Sequence, residues 1–103
     1  MANYFELEAA KKRVHCQLPG QMFNLHIDKL WDRCPNNPAR VVRITIMLED
    51  WQPGHYAEYR DQAYVNWRAG SVIEWTYDTP HMAANLGLTP RYTLQITGHV
   101  SND

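Results

Sequence analysis

Residues 40–49, Arg-Val-Val-Arg-Ile-Thr-Ile-Met-Leu-Glu, form the stretch that decides the fold of this chain. The run is rich in β-branched residues and almost continuously apolar, which is typical of a strand in the middle of a sheet. It therefore predicts a central strand, and the sequence on either side has to supply the strands that flank it.

On both sides of this strand, short alternating runs are separated by turn formers such as Pro19-Gly20 and Pro53-Gly54. Residues 4–12 fit either a short helical turn or an edge strand, and residues 32–38 are a surface loop dense in turn formers. The other predicted strands cover residues 14–18, 21–28, 56–59, 63–67, 72–75, 81–85 and 91–97. About eight short strands without a long helical period predict an all-β sandwich, barrel or jelly roll. We expect a single domain over residues 1–103.

The composition excludes several classes of protein. The net charge is -1, with 10 basic and 11 acidic residues scattered along the chain, so there is no electrostatic footprint for nucleic acid or an anionic membrane. No basic region followed by an apolar one opens the sequence, and no run of about 18 apolar residues predicts a membrane span. Cys16 and Cys34 fit no CxxC pattern, which favours reduced thiols in a cytoplasmic protein over the alternative of a single disulfide.

Candidate chemistry begins with the pair His26 and Asp28. In an extended strand these two side chains share one face, so an imidazole and a carboxylate aim at the same point. A lone HxD is common in a chain with this many His and Asp residues. However, His81 begins another predicted strand, and Arg91 lies ten residues later with Thr93 on its face.

The order HxD, distant His and then Arg-x-Thr resembles the 2-oxoglutarate- and Fe(II)-dependent dioxygenases, over about residues 18–98. The likeness is greatest to small members related to aspartyl/asparaginyl β-hydroxylase and prolyl hydroxylase. His-Met-Ala-Ala-Asn precedes the arginine strand, and Thr-Leu-Gln-Ile-Thr-Gly closes it. The resemblance implies a double-stranded β-helix, a cupin-like jelly roll with little helix and a metal between its sheets.

The resemblance also implies the site residues. Fe(II) would be held by His26, Asp28 and His81, a set that leaves the opposite metal positions open for a cosubstrate and O₂. The planar fork of Arg91 would pair with the distal carboxylate of 2-oxoglutarate, and the hydroxyl of Thr93 would assist. The implied activity is hydroxylation of an unidentified small molecule or protein side chain, with release of succinate and CO₂.

Two further residues are weaker candidates for cofactor or substrate binding. Asn24 shares the face of His26 and either orients a ligand or is exposed at the edge. Arg43 meets the cosubstrate or a substrate carboxylate if its face of the central strand points inward, and is ordinary surface if it points outward. Asn85 either lines the pocket or satisfies a turn. The remaining aromatic and histidine residues are assigned to packing, the rim or the surface: Tyr64, Trp67, Trp75, His15, His55 and His99.

Two alternatives remain open. A cupin shares the jelly roll and a His-to-Asn motif like that of His81-Met-Ala-Ala-Asn85, but a typical cupin has His in place of Asp28, followed by a Glu that Lys29-Leu30-Trp31 does not supply. A non-catalytic binding or oligomerisation module is the second alternative, because the chain has little sequence before its first strands. The same shortness suggests that a second subunit covers the outer sheet face in a homodimer.

Overall fold

The computed structural model describes residues 8–27, 41–76 and 78–99, and of residues 8–10 only the backbone. The described ranges form eight strands: β1 (Glu8–Gln17), β2 (Met22–His26), β3 (Val41–Met47), β4 (His55–Tyr59), β5 (Gln62–Tyr64), β6 (Val72–Thr76), β7 (His81–Asn85) and β8 (Arg91–His99). They contain no helix that is long and apolar enough to cross a membrane. The predicted loop 32–38, Asp28 and Cys34 lie outside the described residues.

The strands form two antiparallel four-stranded sheets. The first sheet has the order β1-β8-β3-β6 and the second the order β2-β7-β4-β5. Strand β3 lies between β8 and β6 and pairs with both, which confirms the central strand predicted from its β-branched composition. The all-β jelly-roll prediction is confirmed.

Strand lengths differ most from the predictions at β1, β8 and β5. Residues 8–17 form one edge strand, so the strand alternative holds for this part of residues 4–12; β1 pairs with β8 along almost its whole length and has an irregularity between Glu8 and Lys11. Strand β8 correspondingly extends to His99. Strand β5 is shorter than predicted because Asn66 adopts a φ of 57°, a left-handed conformation that ends extended structure.

The register of the first sheet arranges side chains in rows across its strands. The row at one end, named here the Arg43 row, comprises Lys11, Thr97, Arg43 and Trp75. The row at the other end, the Arg91 row, comprises Gln17 and Arg91. The rows between them are Arg13, Gln95, Thr45 and Ile73, then His15, Thr93 and Met47. Most members of these rows line the space between the two sheets.

The space between the sheets has an apolar half and a polar half. In the apolar half Met47, Ala57, Tyr59, Ile73 and Trp75 form a buried cluster contributed by β3, β4 and β6. Burying such side chains is the main source of stability for a chain of this size. The polar half is a cavity of about 770 Å³ between β1 and β8 on one side and β2 and β7 on the other. The position of the cavity decides which side chains can form a site.

Candidate functional site

Two histidines face each other at one end of the second sheet. His26 is the last residue of β2, His81 is the first residue of β7, and the register pairs them directly. Their ring centroids are 4.3 Å apart, with 54° between the ring planes. Both side chains line the cavity. The structure therefore brings together two of the predicted metal ligands.

The hydrogen bonds of the two rings define their tautomers. His26 Nδ1 lies 2.6 Å from the carbonyl oxygen of Asn24, and His81 Nδ1 lies 3.0 Å from that of Thr79. A carbonyl oxygen can only accept, so each Nδ1 carries the hydrogen and donates it. In the neutral ring the lone pair is then on Nε2, the arrangement found in metal-binding histidines. His26 is thus oriented as a ligand by its own strand, and His81 by the turn that precedes β7.

The third predicted ligand, Asp28, lies outside the described residues. It follows His26 by two residues in the chain. Among the residues that the structure describes, no third His, Cys, Asp or Glu joins His26 and His81 in a group able to hold a metal. The predicted triad is therefore described at two of its three positions.

Aromatic rings enclose His81. The Trp75 ring centroid lies 4.3 Å from that of His81, and Tyr59 stacks on His81 at 5.7 Å with 9° between the planes. The hydroxyl of Thr45 accepts a hydrogen bond of 3.0 Å from Trp75 Nε1 and one of 3.5 Å from the Tyr59 hydroxyl. These contacts fix the two rings beside the histidine and limit the access of water to it.

Arg91 lies in the cavity and is only 8% exposed. Its Nε donates a 2.8 Å hydrogen bond to Gln17 Oε1, and Gln17 Nε2 donates in turn to the carbonyl oxygen of Ala83 at 3.1 Å. Burial lowers the pKa of Arg91 because desolvation disfavours the charged form, and Tyr59 acts in the opposite direction. A bound carboxylate would restore the favourable interactions that this guanidinium lost with water.

Of Thr93 and Asn24, which were both predicted as candidates for ligand binding, only Thr93 lines the cavity. Thr93 is buried and lines the cavity two residues after Arg91. Asn24 is exposed and is not among the residues that line the cavity. The register of β2 shifts between Phe23 and His26, so Phe23 accompanies His26 at the cavity wall. The carbonyl oxygen of Asn24, rather than its side chain, contacts His26.

Arg43 faces the cavity, which decides between its two predicted orientations. Its Nε donates a 2.9 Å hydrogen bond to the Thr97 hydroxyl. Its guanidinium carbon lies 5.1 Å from the centroid of the Trp75 ring, in a cation–π contact. Its two neighbours in the Arg43 row, Thr97 and Trp75, therefore position the arginine side chain.

Sequence reasoning missed the contribution of β1 to the site, of which Gln17 and His15 are two examples. Gln17 is buried and orients Arg91, although the two residues are far apart in the sequence. His15, which was assigned to the surface or to structure, lines the cavity. Both belong to the alternating series at positions 11, 13, 15 and 17 of one strand. That alternation was the signal that could have identified them.

Two other polar residues are structural. Asn85 is fully buried, and its Nδ2 donates to the carbonyl oxygens of Gln17 and Thr89 at 2.9 and 2.8 Å, so it holds the turn between β7 and β8. His55 is buried, and its Nε2 lies 2.9 Å from the carbonyl oxygen of Thr89. Both side chains therefore tie the second sheet to the same turn. Cys16 is an exposed free thiol.

No protein-family model matches the sequence, and no curated protein matches it either. Solved structures do resemble it. A prolyl-4-hydroxylase from Pseudomonas putida matches with a TM-score of 0.67 at 21% identity, over 95% of this chain and 54% of that one. The cupin domain of an XRE-family transcriptional regulator from Enterobacter cloacae matches with a TM-score of 0.64 at 10% identity, over 89% of this chain and 83% of that one.

A third similar structure is a predicted oxalate decarboxylase from Thermotoga maritima, with a TM-score of 0.61 at 16% identity, over 86% of this chain and 65% of that one. The fold is a jelly roll of the cupin type. Two of these three structures are described as a hydroxylase and a predicted decarboxylase, and the third is a domain of a transcriptional regulator. The fold alone therefore does not determine an activity. The chain spans about half the length of the prolyl-4-hydroxylase that it matches.

Proposed function

We propose that this chain is an Fe(II)- and 2-oxoglutarate-dependent oxygenase that hydroxylates a C–H bond and releases succinate and CO₂. The observation that carries the proposal is the direct pairing of His26 and His81, with both Nδ1 atoms bound to backbone carbonyl oxygens. Arg91, buried in the same cavity, gives the site a carboxylate anchor. The structural likeness to a prolyl-4-hydroxylase is consistent with this class of activity.

The donors fit Fe(II). His26 and His81 would bind it through Nε2, and Asp28, two residues after His26, would supply the carboxylate of a two-histidine, one-carboxylate set. When bound, the iron supplies the O₂-dependent oxidation of the cosubstrate and of the substrate C–H bond.

The remaining residues bind, orient and exclude water. Arg91 pairs with the distal carboxylate of 2-oxoglutarate, and Thr93 contributes a hydroxyl to the same group. Gln17 holds the Arg91 guanidinium through its 2.8 Å hydrogen bond, so the anchor is oriented before the cosubstrate arrives. Trp75 and Tyr59 shield His81 from water, which strengthens the electrostatic interactions on that side of the cavity.

Anaerobic titration with Fe(II), with and without 2-oxoglutarate, tests this function. We expect a weak visible charge-transfer band that depends on both components, together with succinate production when O₂ is admitted. Arg91→Ala should abolish the band, while Fe(II) binding is retained. Asp28→Ala should remove Fe(II) binding. Tight Fe(II) binding by Asp28→Ala would contradict the proposed ligand set.

A cupin-type metal-binding protein is the second candidate, and the structural likeness to cupin domains supports it. Such a protein would bind metal through His26 and His81 without dependence on 2-oxoglutarate. A non-catalytic module of the same fold would bind neither metal nor cosubstrate and would form no succinate. The same titration therefore separates the three functions.

A further inference from the structure

The cavity is strongly cationic. Five basic side chains line it: Lys11, Lys12, Arg13, Arg43 and Arg91. None of the lining residues in ranges 8–27, 41–76 and 78–99 is Asp or Glu. A concentration of positive charge in a partly enclosed cavity attracts anions and raises their local concentration. The distribution of these cations between the two ends of the cavity indicates which anions they bind.

The histidine pair lies between two separate arginines. Arg91 connects through Gln17 to the carbonyl oxygen of Ala83, two residues beyond His81 on β7. On the other side of His81, its ring contacts Trp75, which also contacts the Arg43 guanidinium. Along β8, Arg91 and the Thr97 partner of Arg43 are six residues apart, or about 20 Å in an extended strand.

The charges of the proposed catalytic complex balance without the Arg43 row. Fe(II) and Arg91 contribute positive charge, and Asp28 and the two carboxylates of 2-oxoglutarate contribute an equal negative charge. Lys11 and Arg43 place two further basic side chains on the other side of His81, and Arg13 lies in the next row. An anionic group there would meet a cationic wall that has no Asp or Glu among its described lining residues.

Resting on the function proposed above, we propose that the Arg43 row binds a carboxylate or phosphate group of a small-molecule substrate. A cavity of about 770 Å³ is of the size that encloses a small molecule together with a cosubstrate. The anion lies against Arg43, Thr97 and Lys11, which are neighbours across three strands. The substrate carbon to be oxidised then lies toward the histidine pair, past Trp75.

Each member of the row has a distinct part in this recognition. The guanidinium of Arg43 is held by the Thr97 hydroxyl and by the Trp75 ring, so its planar fork is oriented before a ligand binds. Lys11 is exposed on the edge strand β1 and adds a mobile charge at the cavity mouth. Arg91 has no part in this site because Gln17 holds it in the row at the opposite end.

Titration of ¹⁵N-labelled protein with sodium acetate and with inorganic phosphate, at constant ionic strength, tests the site. The probe is the Trp75 indole N–H signal, assigned by its absence from Trp75→Phe. We expect a saturable shift with at least one of the two anions. Arg43→Leu should weaken the binding by roughly tenfold or more, since it removes a charge-assisted interaction.

Two matched variants retain an anion site if the inference is correct. Arg68→Leu removes an exposed arginine outside the cavity, and Arg91→Lys alters only the cosubstrate anchor. In both variants the Trp75 signal should shift over the same range of anion concentration as in the wild type. If Arg43→Leu does not fold, Lys11→Met replaces it, because Lys11 is exposed, and it should weaken binding roughly threefold.

The outcomes separate this inference from the proposed function. Saturation by acetate alone assigns a carboxylate, and saturation by phosphate alone assigns a phosphate. No saturable shift in the wild type, or an equal shift in Arg43→Leu, overturns the inference. The charge-transfer band with Fe(II) and 2-oxoglutarate should persist in Arg43→Leu. Absence of that band from the wild type overturns the oxygenase function and leaves the anion site standing.

Discussion

At the scale of single residues, sequence reasoning predicted several of the side chains that line the cavity but not the residue that holds Arg91 in place. His26, His81 and Arg91 were predicted from their order and spacing, and all three line one cavity. Gln17 was not predicted, because its contact with Arg91 depends on the register of β1 against β8. Cross-strand contacts of this kind follow from the folded pairing and leave no local pattern in the sequence.

Replacement of Gln17 by Glu tests the orientation of the cosubstrate anchor. The new carboxylate would pair with Arg91 within the protein and compete with 2-oxoglutarate for the guanidinium. We expect Gln17→Glu to weaken 2-oxoglutarate binding by roughly tenfold or more, with Fe(II) binding unchanged. The amplitude of the charge-transfer band against 2-oxoglutarate concentration measures it. Gln62→Glu, on the exposed strand β5, is the control and should bind as the wild type does.

Replacement of Thr45 tests what holds the Trp75 and Tyr59 rings in place. Thr45 is 1% exposed and accepts hydrogen bonds from Trp75 and Tyr59. Thr45→Val leaves the buried indole N–H without this acceptor and should lower the free energy of unfolding by about 1–3 kcal/mol. Thr45→Ser keeps the hydroxyl and should cost less. Urea unfolding measures both, and a valine variant at least as stable as the serine variant would contradict this account.

At the scale of elements, the existence of the strands was predictable and their irregularities were not. Alternation and turn formers predicted the strands of the described ranges apart from the first part of β1, because both signals are local. For residues 4–12 a helical turn fitted as well as an edge strand. The register shift in β2 changes which side chains join His26 at the cavity, with Phe23 there and Asn24 outside. Such an irregularity depends on the pairing with β7, and of the two predicted alternatives for Asn24 the exposed position is the one observed.

The β3–β4 turn and the β7–β8 turn are in close contact. Gly54 has a φ of 94°, and a Cβ there would overlap the backbone of Gly87. Its carbonyl oxygen accepts a 2.8 Å hydrogen bond from the Leu86 N–H. We expect Gly54→Ala to lower the free energy of unfolding by about 2 kcal/mol or more.

Gly70 provides the matched control for this close approach. Its φ of 88° is similar, but a Cβ there would meet no atom within 4 Å. Gly70→Ala should therefore cost only the backbone strain, about 1 kcal/mol. Thermal and urea unfolding of the two variants measure the difference. Equal destabilisation would show that the contact with Gly87 contributes nothing.

At the scale of the whole molecule, the sequence predicted the two-sheet architecture but not the division of its interior. The number of strands and the absence of helical periodicity predicted a sandwich, barrel or jelly roll, and the resemblance to the dioxygenases implied the jelly roll. The apolar cluster at β3, β4 and β6 and the polar cavity beside β1 and β8 arise from the strand order, which brings β1 next to β8. Sequence patterns do not encode that order directly.

We propose that the outward face of the first sheet forms a homodimer interface. Val14 and Val72 on this face are 63% and 39% exposed, and Tyr92 is also exposed. An apolar sheet face is stabilised when a second copy covers it. Sedimentation equilibrium should give twice the 12.1 kDa mass of one chain, and Val14→Glu should reduce it to one. A wild-type mass of one chain would contradict the dimer.

Strand β2 has an unusual position for an element that carries a metal ligand. Among the described strands it lies at the edge of the second sheet with β7 as its one neighbour, and all five of its residues are exposed. A metal shared by His26 and His81 would link two strands that are distant in the sequence, and would stabilise the fold because it binds the folded chain and not the unfolded one. A metal bound there would therefore stabilise the fold as well as take part in the proposed reaction. Removal of the metal by chelation should increase the rate of amide hydrogen exchange in β2 more than in β3.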